Sequence, residues 1–449
     1  MQIDSVICVD SVDKFIKKTL NCRNEFDDDP FIVTDLTKIK QRFNGWAREF
    51  PKIEPFFALK AQHNSQTVNL LADNSCGFDV ASLGEMRSVI EAGTDPNKIL
   101  YAQPYKQPSH LRYALKYGIV SVCDTVDEIM KVSEVALLNN CLYPKILIRI
   151  LPDDKEGEAQ ASLSSKFGAP LKLLPDLAQA AKKGNVSIIG ISFHVGSHCH
   201  SSVPYQRTLK LSRVWWDGLE KMIDDPLEIL DIGGGYPGED GPDFSIMAKD
   251  INQSITEIYG DVQDKIRVIA EPGRYMVTSS VCVVANVVAE KHQSEAGDVR
   301  GFVLNTGVYG GLSHSMWDRR AARSSVPYVV RLSEGLGDQG NSVHHFENQG
   351  NGNHLLNNQN GNDDHQLLNN QQSYDEMKLD KLPSETKEVV LWGPTCDSSD
   401  KLVEGYCLDG LKRGDWIVFP DLGAYGTNIM TTFNGFPHPK TFYVRSVEL

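Results

Sequence analysis

A chain of 449 residues is long enough for two domains with substantial cores. It carries 45 Lys and Arg against 59 Asp and Glu, a net charge of −14, with a pI near 5.4; that balance argues against nucleic acid or an anionic membrane as partner. No apolar stretch has the length of a membrane span, and Met1–Val6 lacks the basic and apolar regions of a secretion signal. Nine dispersed cysteines without a CxxC pair read as reduced thiols of a cytoplasmic protein rather than a disulfide framework.

From about residue 31 to 280, short apolar runs alternate with longer amphipathic stretches. Phe31–Val33, Pro55–Lys60, Gly77–Ala81, Ile99–Ala102, Val120–Cys123, Lys145–Ile150, Ile188–His194, Leu227–Ile232 and Val268–Glu271 are predicted strands. Leu83–Ala92, Ser109–Tyr117, Thr125–Leu138 and Thr208–Ile223 are predicted helices between them. Strands separated by helices of that length imply parallel crossovers. Eight or nine such units suit an α/β fold, a (β/α)8 TIM-like barrel, in which site residues sit at the C-terminal ends of strands. Lys60, Asp79, Arg149, His194, Gly233 and Glu271 all fall there. The polar stretch Leu151–Ser165 reads as a loop able to close over a site.

Past about Tyr275 the texture becomes strands and glycine-rich turns, as in Val277–Glu290, Gly301–Leu304, Val389–Trp392, Asp415–Pro420 and Thr441–Val447. Residues 281–449 are therefore expected to form a C-terminal β-sheet domain. In the N-terminal segment 1–30, Val6–Val9 is predicted to add a strand to it. Residues 335–375 are crowded with Asn, Gln and Gly, too polar to pack a core, and read as a disordered insertion. His344, His345, His354 and His365 there lack the spacing of a metal site, and no metal is expected.

Lys60 stands inside an apolar run, where an ammonium is costly unless it reaches water or does chemistry. A lysine that attacks an aldehyde and stays attached is the chemical alternative. Such an enzyme needs a phosphate anchor, a partner for a pyridine nitrogen and a group against the ring face. Gly233, Gly234 and Gly235 follow a strand and would let backbone amides approach an anion, or simply make a turn. Glu271 and Arg274, three residues apart, would serve as nitrogen partner and phosphate ligand; their plainer role is a surface ion pair. His194 and Ser197 supply an imidazole and a hydroxyl. In Trp392–Asp400 a thiol, Cys396, neighbours a carboxylate, Asp397, and Trp317-Asp318 offers a second carboxylate.

These motifs, with Gly77–Ser82, Ser164–Ala169, Asp231–Gly235, Gly307–Gly310, Gly423–Tyr425 and Phe433–Phe436, occur in an order that resembles eukaryotic ornithine decarboxylases. These are pyridoxal 5′-phosphate enzymes with an alanine-racemase-like barrel and a β-domain. The resemblance implies decarboxylation of L-ornithine to putrescine. Lys60 would hold the cofactor's aldehyde, with Asp79 and Glu85 near it and Arg149 near the ring substituents. His194 would stack on the ring, Glu271 hold its nitrogen, and Ser197, Gly233 to Gly235, Arg274 and Tyr425 bind phosphate. Asp318 and Asp397, flanked by Trp317, would grip the substrate's distal ammonium, and Cys396 would assist reprotonation. The resemblance further implies a homodimer with shared sites and makes antizyme a candidate partner.

Three departures stand out. Trp317 occupies a position where the family has tyrosine or phenylalanine, which leaves lysine or another basic amino acid as an alternative substrate. Asn305-Thr306 replaces Asn-Asp, and His198 replaces a glycine. The C-terminal degradation segment of vertebrate members is also expected to be missing. An inactive antizyme-binding homologue is the remaining alternative, against which the retained Asp79, Arg149, Arg274, Tyr425 and Cys396 count.

Overall fold

The computed structural model describes residues 5–24, 27–153, 159–161, 163–238, 243–292, 300–313, 327–331, 343–344, 388–402, 406–408 and 410–447. Trp317 and Asp318 lie outside these residues. So does the expected insertion at 335–375, apart from the strand Val343–His344.

Eight parallel strands close into a barrel: Ile53–Ala58, Gly77–Val80, Ile99–Tyr101, Val120–Cys123, Lys145–Arg149, Ser187–Ser192, Ile229–Asp231 and Arg267–Ala270. Each pairs with the next, and the last pairs with the first, Ile269 opposite Glu54. Alternation along each strand divides the apolar residues between two cores. Phe56, Leu100, Val122, Leu147, Ile189, Ile229 and Ile269 fill the barrel interior. Phe57, Phe78, Ile146 and Ile148 face the helical layer outside. Each such side chain contributes about 1.5–3 kcal/mol of burial.

The helices start where the sequence places caps. Ser82 Oγ accepts from Glu85 N–H (3.3 Å) and Thr125 Oγ1 from Glu128 N–H (3.2 Å), the Ser/Thr-x-x-Glu signature of a helix N-terminus. The helix expected at Thr208–Ile223 begins earlier, at Val203, because Pro204 fits a first helical turn. Part of the expected loop Leu151–Ser165 is ordered as Ala159–Ala161, which pairs antiparallel with Ser197–Cys199.

Phe31–Val33 does not belong to the barrel. The strand Phe31–Asp35 runs antiparallel to Val281–Val284 and parallel to Lys440–Val444, inside the sheet domain. All five of its residues are buried, so it reads like a barrel strand although its neighbours are different. Phe31 packs edge-on against Phe442 and tilted against Trp416. The remainder of that sheet contains Val6–Val9, Arg300–Leu304, Glu388–Trp392, Tyr406–Cys407, Trp416–Phe419 and Tyr328–Val330. The long strand Val281–His292 is its spine and follows the barrel's last strand closely in sequence.

Candidate active site

The strand expected over Pro55–Lys60 ends at Ala58, and Leu59–Ala61 makes one 3-10 turn. That turn buries Leu59 and Ala61 completely and carries Lys60 out of the apolar wall, its side chain 43% exposed. Lys60 Nζ donates to Asp79 Oδ2 at 2.6 Å, and Asp79 is 2% exposed. Burial draws the lysine pKa down, but the charge of Asp79 and the hydrogen bond to it outweigh that. The amine is held well above its ordinary range, as an ammonium. The sheet domain grips the same turn: Tyr425 N–H donates to Ala61 O (2.8 Å) and Asn428 Nδ2 to Lys60 O (3.1 Å). Glu85 accepts from Ala81 N–H at 2.6 Å, and burial pushes its carboxyl up against the pull of that bond.

Gly233 and Gly235 have φ of +67° and +113°. A Cβ on Gly233 would sit 2.1 Å from Phe193 O, and one on Gly234 would sit 2.9 Å from His194 Nε2. Close approach therefore requires these glycines, more than a turn would. Tyr205 Oη donates to Gly234 O and Cys199 N–H to Gly235 O, both at 2.8 Å, which pins the loop. Arg274 Nε donates to Ser197 Oγ (3.2 Å), and its guanidinium lies 4.8 Å over the Tyr425 ring. Ser197, Arg274 and Tyr425 are thus one group. His198, next to them, has φ +57°, a left-handed backbone that explains why a glycine suits this position.

His194 is 9% exposed, and its Nδ1 accepts from Gly196 N–H at 3.0 Å. Burial, then the charges of Arg149 and Lys60, holds its pKa well below the usual histidine range. The ring is neutral, with the hydrogen on Nε2 beside Gly234. Arg149 ends its strand 8% exposed, its guanidinium 4.9 Å from the Phe167 ring.

Glu271 follows the last barrel strand and is 4% exposed. Burial, with Asp231 and Asp79 nearby, pushes its carboxyl well above the usual range. Its partner is Asp231, fully buried at a neighbouring strand end and hydrogen-bonded to Glu271. Burial pushes Asp231 up to about 6, against hydrogen bonds from Gly233 N–H (2.9 Å) and Ser192 Oγ (2.8 Å). The sequence motif contains Asp231, but nothing in its spacing distinguishes it from an ordinary strand-end acid.

Cys396 and Asp397 belong to a second group. Cys396 is an exposed free thiol whose N–H donates to Asn434 Oδ1 (2.8 Å). Tyr309 Oη donates to Asp397, and Ser399 N–H donates to Asp397 Oδ1 (2.9 Å); both lower its pKa, Tyr309 more. The loop is tied by Asp400, 1% exposed, which accepts from Val308 N–H (2.8 Å), Thr395 N–H (3.1 Å) and Thr395 Oγ1 (2.7 Å). A Cβ on Gly307 or Gly393 would lie 2.2 or 2.1 Å from Asp400 Oδ1.

An amine at a barrel mouth, a glycine cradle with a serine and an arginine, and a buried acid pair match the aldehyde, phosphate and ring nitrogen of pyridoxal 5′-phosphate. Cavities of about 420 Å³, beside Arg23 and Trp416, and about 320 Å³, beside Phe56 and Ile229, do not include Lys60. Among the described residues no His, Cys, Asp and Glu cluster suits a metal ion, and no helix is long and apolar enough to cross a membrane.

The family model "Pyridoxal-dependent decarboxylase, pyridoxal binding domain" matches residues 36–278, and the "C-terminal sheet domain" model matches 339–423. The chain is 31% identical to ornithine decarboxylase of Panagrellus redivivus, covering 93% of this chain and 86% of that protein. It is equally identical to antizyme inhibitor 2 of Xenopus laevis, over 93% and 81%. The solved arginine decarboxylase of Paramecium bursaria Chlorella virus superposes with a TM-score of 0.75 at 25% identity, over 97% of this chain and 100% of that one. The chain belongs to the pyridoxal-dependent decarboxylases, with pyridoxal phosphate as cofactor.

Proposed function

We propose that the protein decarboxylates L-ornithine to putrescine and carbon dioxide. The observation that carries this is Lys60 held as an ammonium at the barrel mouth, 2.6 Å from Asp79, with the acid pair and the Ser197–Arg274 anchor around the same opening. Lys60 would hold the cofactor's aldehyde, and Asp79 keeps the amine in place until then. Ser197, Arg274, Tyr425 and the amides of Gly233 to Gly235 would hold the phosphate. Neutral His194 would lie against the ring without competing for charge, and Arg149 would orient a ring substituent. Glu271 would hold the ring nitrogen. When bound, the cofactor supplies an electron sink for the bond that the carboxylate leaves.

Ornithine fits through its second ammonium. Asp397, kept ionised by Tyr309 and Ser399, would bind it together with Asp318, and Cys396 would return a proton to the substrate carbon. Cys396 and Asp397 are bonded to residues outside the Lys60 group, and a homodimer in which this loop completes the neighbouring site accounts for that. The eight cysteines whose side chains the structure describes are free, which suits a cytoplasmic enzyme. The antizyme inhibitor relative supports antizyme as a partner; it also keeps an inactive antizyme-binding role as the second reading.

Carbon dioxide release from L-ornithine, L-lysine, L-arginine and diaminopimelate, with added cofactor, tests this directly. Preference for ornithine is the expected result. Preference for lysine or arginine would refute the substrate assignment and implicate Trp317. No release from any of them would favour the binding role.

A further inference from the structure

Three adjacent barrel strands end in one polar line. Ser192 closes Ser187–Ser192, Asp231 closes Ile229–Asp231, and Glu271 follows Arg267–Ala270. Ser192 and Asp231 are direct cross-strand partners. Asp231 Oδ2 accepts from Ser192 Oγ at 2.8 Å, and Oδ1 accepts from Gly233 N–H at 2.9 Å. The Glu271 backbone is locked to the same loop, its N–H donating to Gly233 O at 2.8 Å. Two buried carboxyls joined by a hydrogen bond need a proton between them. Both donors on Asp231 favour its charged form, so that proton resides on Glu271 in the free protein.

We propose that Asp231 is a positioning residue for the cofactor's ring nitrogen: it holds Glu271 through a shared proton, and Glu271 passes that proton to the nitrogen when the cofactor binds. The Glu271 O–H bond breaks, and its electron pair stays on the carboxylate. The nitrogen lone pair takes the proton, so none is drawn from solvent. Asp231 remains negative throughout, which makes Glu271 more basic and keeps the nitrogen protonated. The other charges facing the pair are Asp79, Lys60 and Arg149; Tyr236 packs near both acids, and neutral His194 lies near Arg149 and Lys60. None of these bonds to Asp231 as Ser192 and Gly233 do. The inference rests on the pyridoxal-phosphate assignment of the site.

Pyridoxine 5′-phosphate tests it, because without an aldehyde it cannot link to Lys60 and reports ring and phosphate contacts alone. Its affinity is measured for the wild type, Asp231→Asn, Glu271→Gln and the double variant, with inorganic phosphate as a probe of the cradle. Each single variant is expected to weaken pyridoxine 5′-phosphate roughly tenfold. The double variant should lose no more than about twofold beyond Glu271→Gln, since Asp231 acts through Glu271. Phosphate affinity should not change in Asp231→Asn. That variant should also take up close to one more proton per site from solvent on binding the ring compound. Additive losses, or an equal loss of phosphate affinity, would show that Asp231 only supports the glycine loop and would overturn the proposal. If Asp231→Asn does not fold, Ser192→Ala replaces it: a loss in the wild-type background that vanishes in Glu271→Gln is expected, and a loss in both overturns it. A folded wild type that does not bind pyridoxine 5′-phosphate would refute the cofactor site itself, a failure distinct from additive variants.

Discussion

Lys60 Nζ lies 2.6 Å from Asp79 Oδ2, an ammonium drawn against a carboxylate at the mouth of the next barrel strand. Lys60→Ala is expected to lose both the cofactor's visible absorption and turnover. Asp79→Asn should keep the fold but destabilise the cofactor-free protein by about 1 kcal/mol, a figure discounted because Lys60 is partly exposed. The lysine pKa is raised on folding. The pair's contribution is therefore complete at neutral pH and disappears only as pH rises above about 10, past the unfolded lysine value. Denaturant titrations at pH 7 and above pH 10 check both statements.

Buried His194 has the opposite sign. Its pKa is depressed on folding, so the unfolded chain binds a proton that the native site refuses. Stability should fall as pH drops below about 6.5, by up to about 1.4 kcal/mol per unit from this group. His194→Gln should flatten that part of the profile, as measured by denaturation of the cofactor-free protein between pH 5 and 8.

Gly233→Ala would place a Cβ 2.1 Å from Phe193 O at a φ of +67°. A loss of about 2–4 kcal/mol of stability is expected from the left-handed backbone and the overlap together. Gly93, with φ +84° and nothing within 4 Å of its Cβ, is the control. Gly93→Ala carries the backbone cost alone and should lose about 1–2 kcal/mol.

Asp400→Ala would strand the N–H groups of Val308 and Thr395 that the carboxylate now satisfies. A cost of about 2–3 kcal/mol is expected. Because Asp400 organises the Cys396–Asp397 loop, turnover should fall further than cofactor affinity does. Paired kcat and cofactor-binding measurements separate the two.

The proposed sharing of sites between subunits makes a mixing prediction. Lys60→Ala and Cys396→Ala homodimers should each be nearly inactive. After mixing and subunit exchange, random heterodimers carry one intact site each, and about one quarter of wild-type activity should return. No recovery after verified exchange would contradict a site completed by the neighbouring subunit.

Much of the architecture is legible in the sequence because barrel strands are short apolar runs separated by capped helices. Phe31–Asp35 escapes that logic: a sheet strand buried on both faces has the same composition as a barrel strand, and only its pairing with Val281–Val284 distinguishes them. At the site, Lys60, Glu271 and Arg274 stand out because charged residues at strand ends break apolar runs. Ser192 and Asp231 do not, since their meaning lies in a cross-strand contact 39 residues apart in sequence. The Asp400 clamp on Val308 spans 92 residues and likewise has no local signature. Three glycines in a row suggest close approach, but only the structure shows that Phe193 and His194 occupy the space.

The most direct test is to reduce the cofactor-loaded protein with borohydride, which fixes the cofactor to the amine that holds it, and to map the modified peptide by mass spectrometry. A single modified residue, Lys60, is the expected result, with no modification in Lys60→Ala. Attachment at another lysine, such as the buried Lys106, or no attachment to folded wild-type protein, would contradict it.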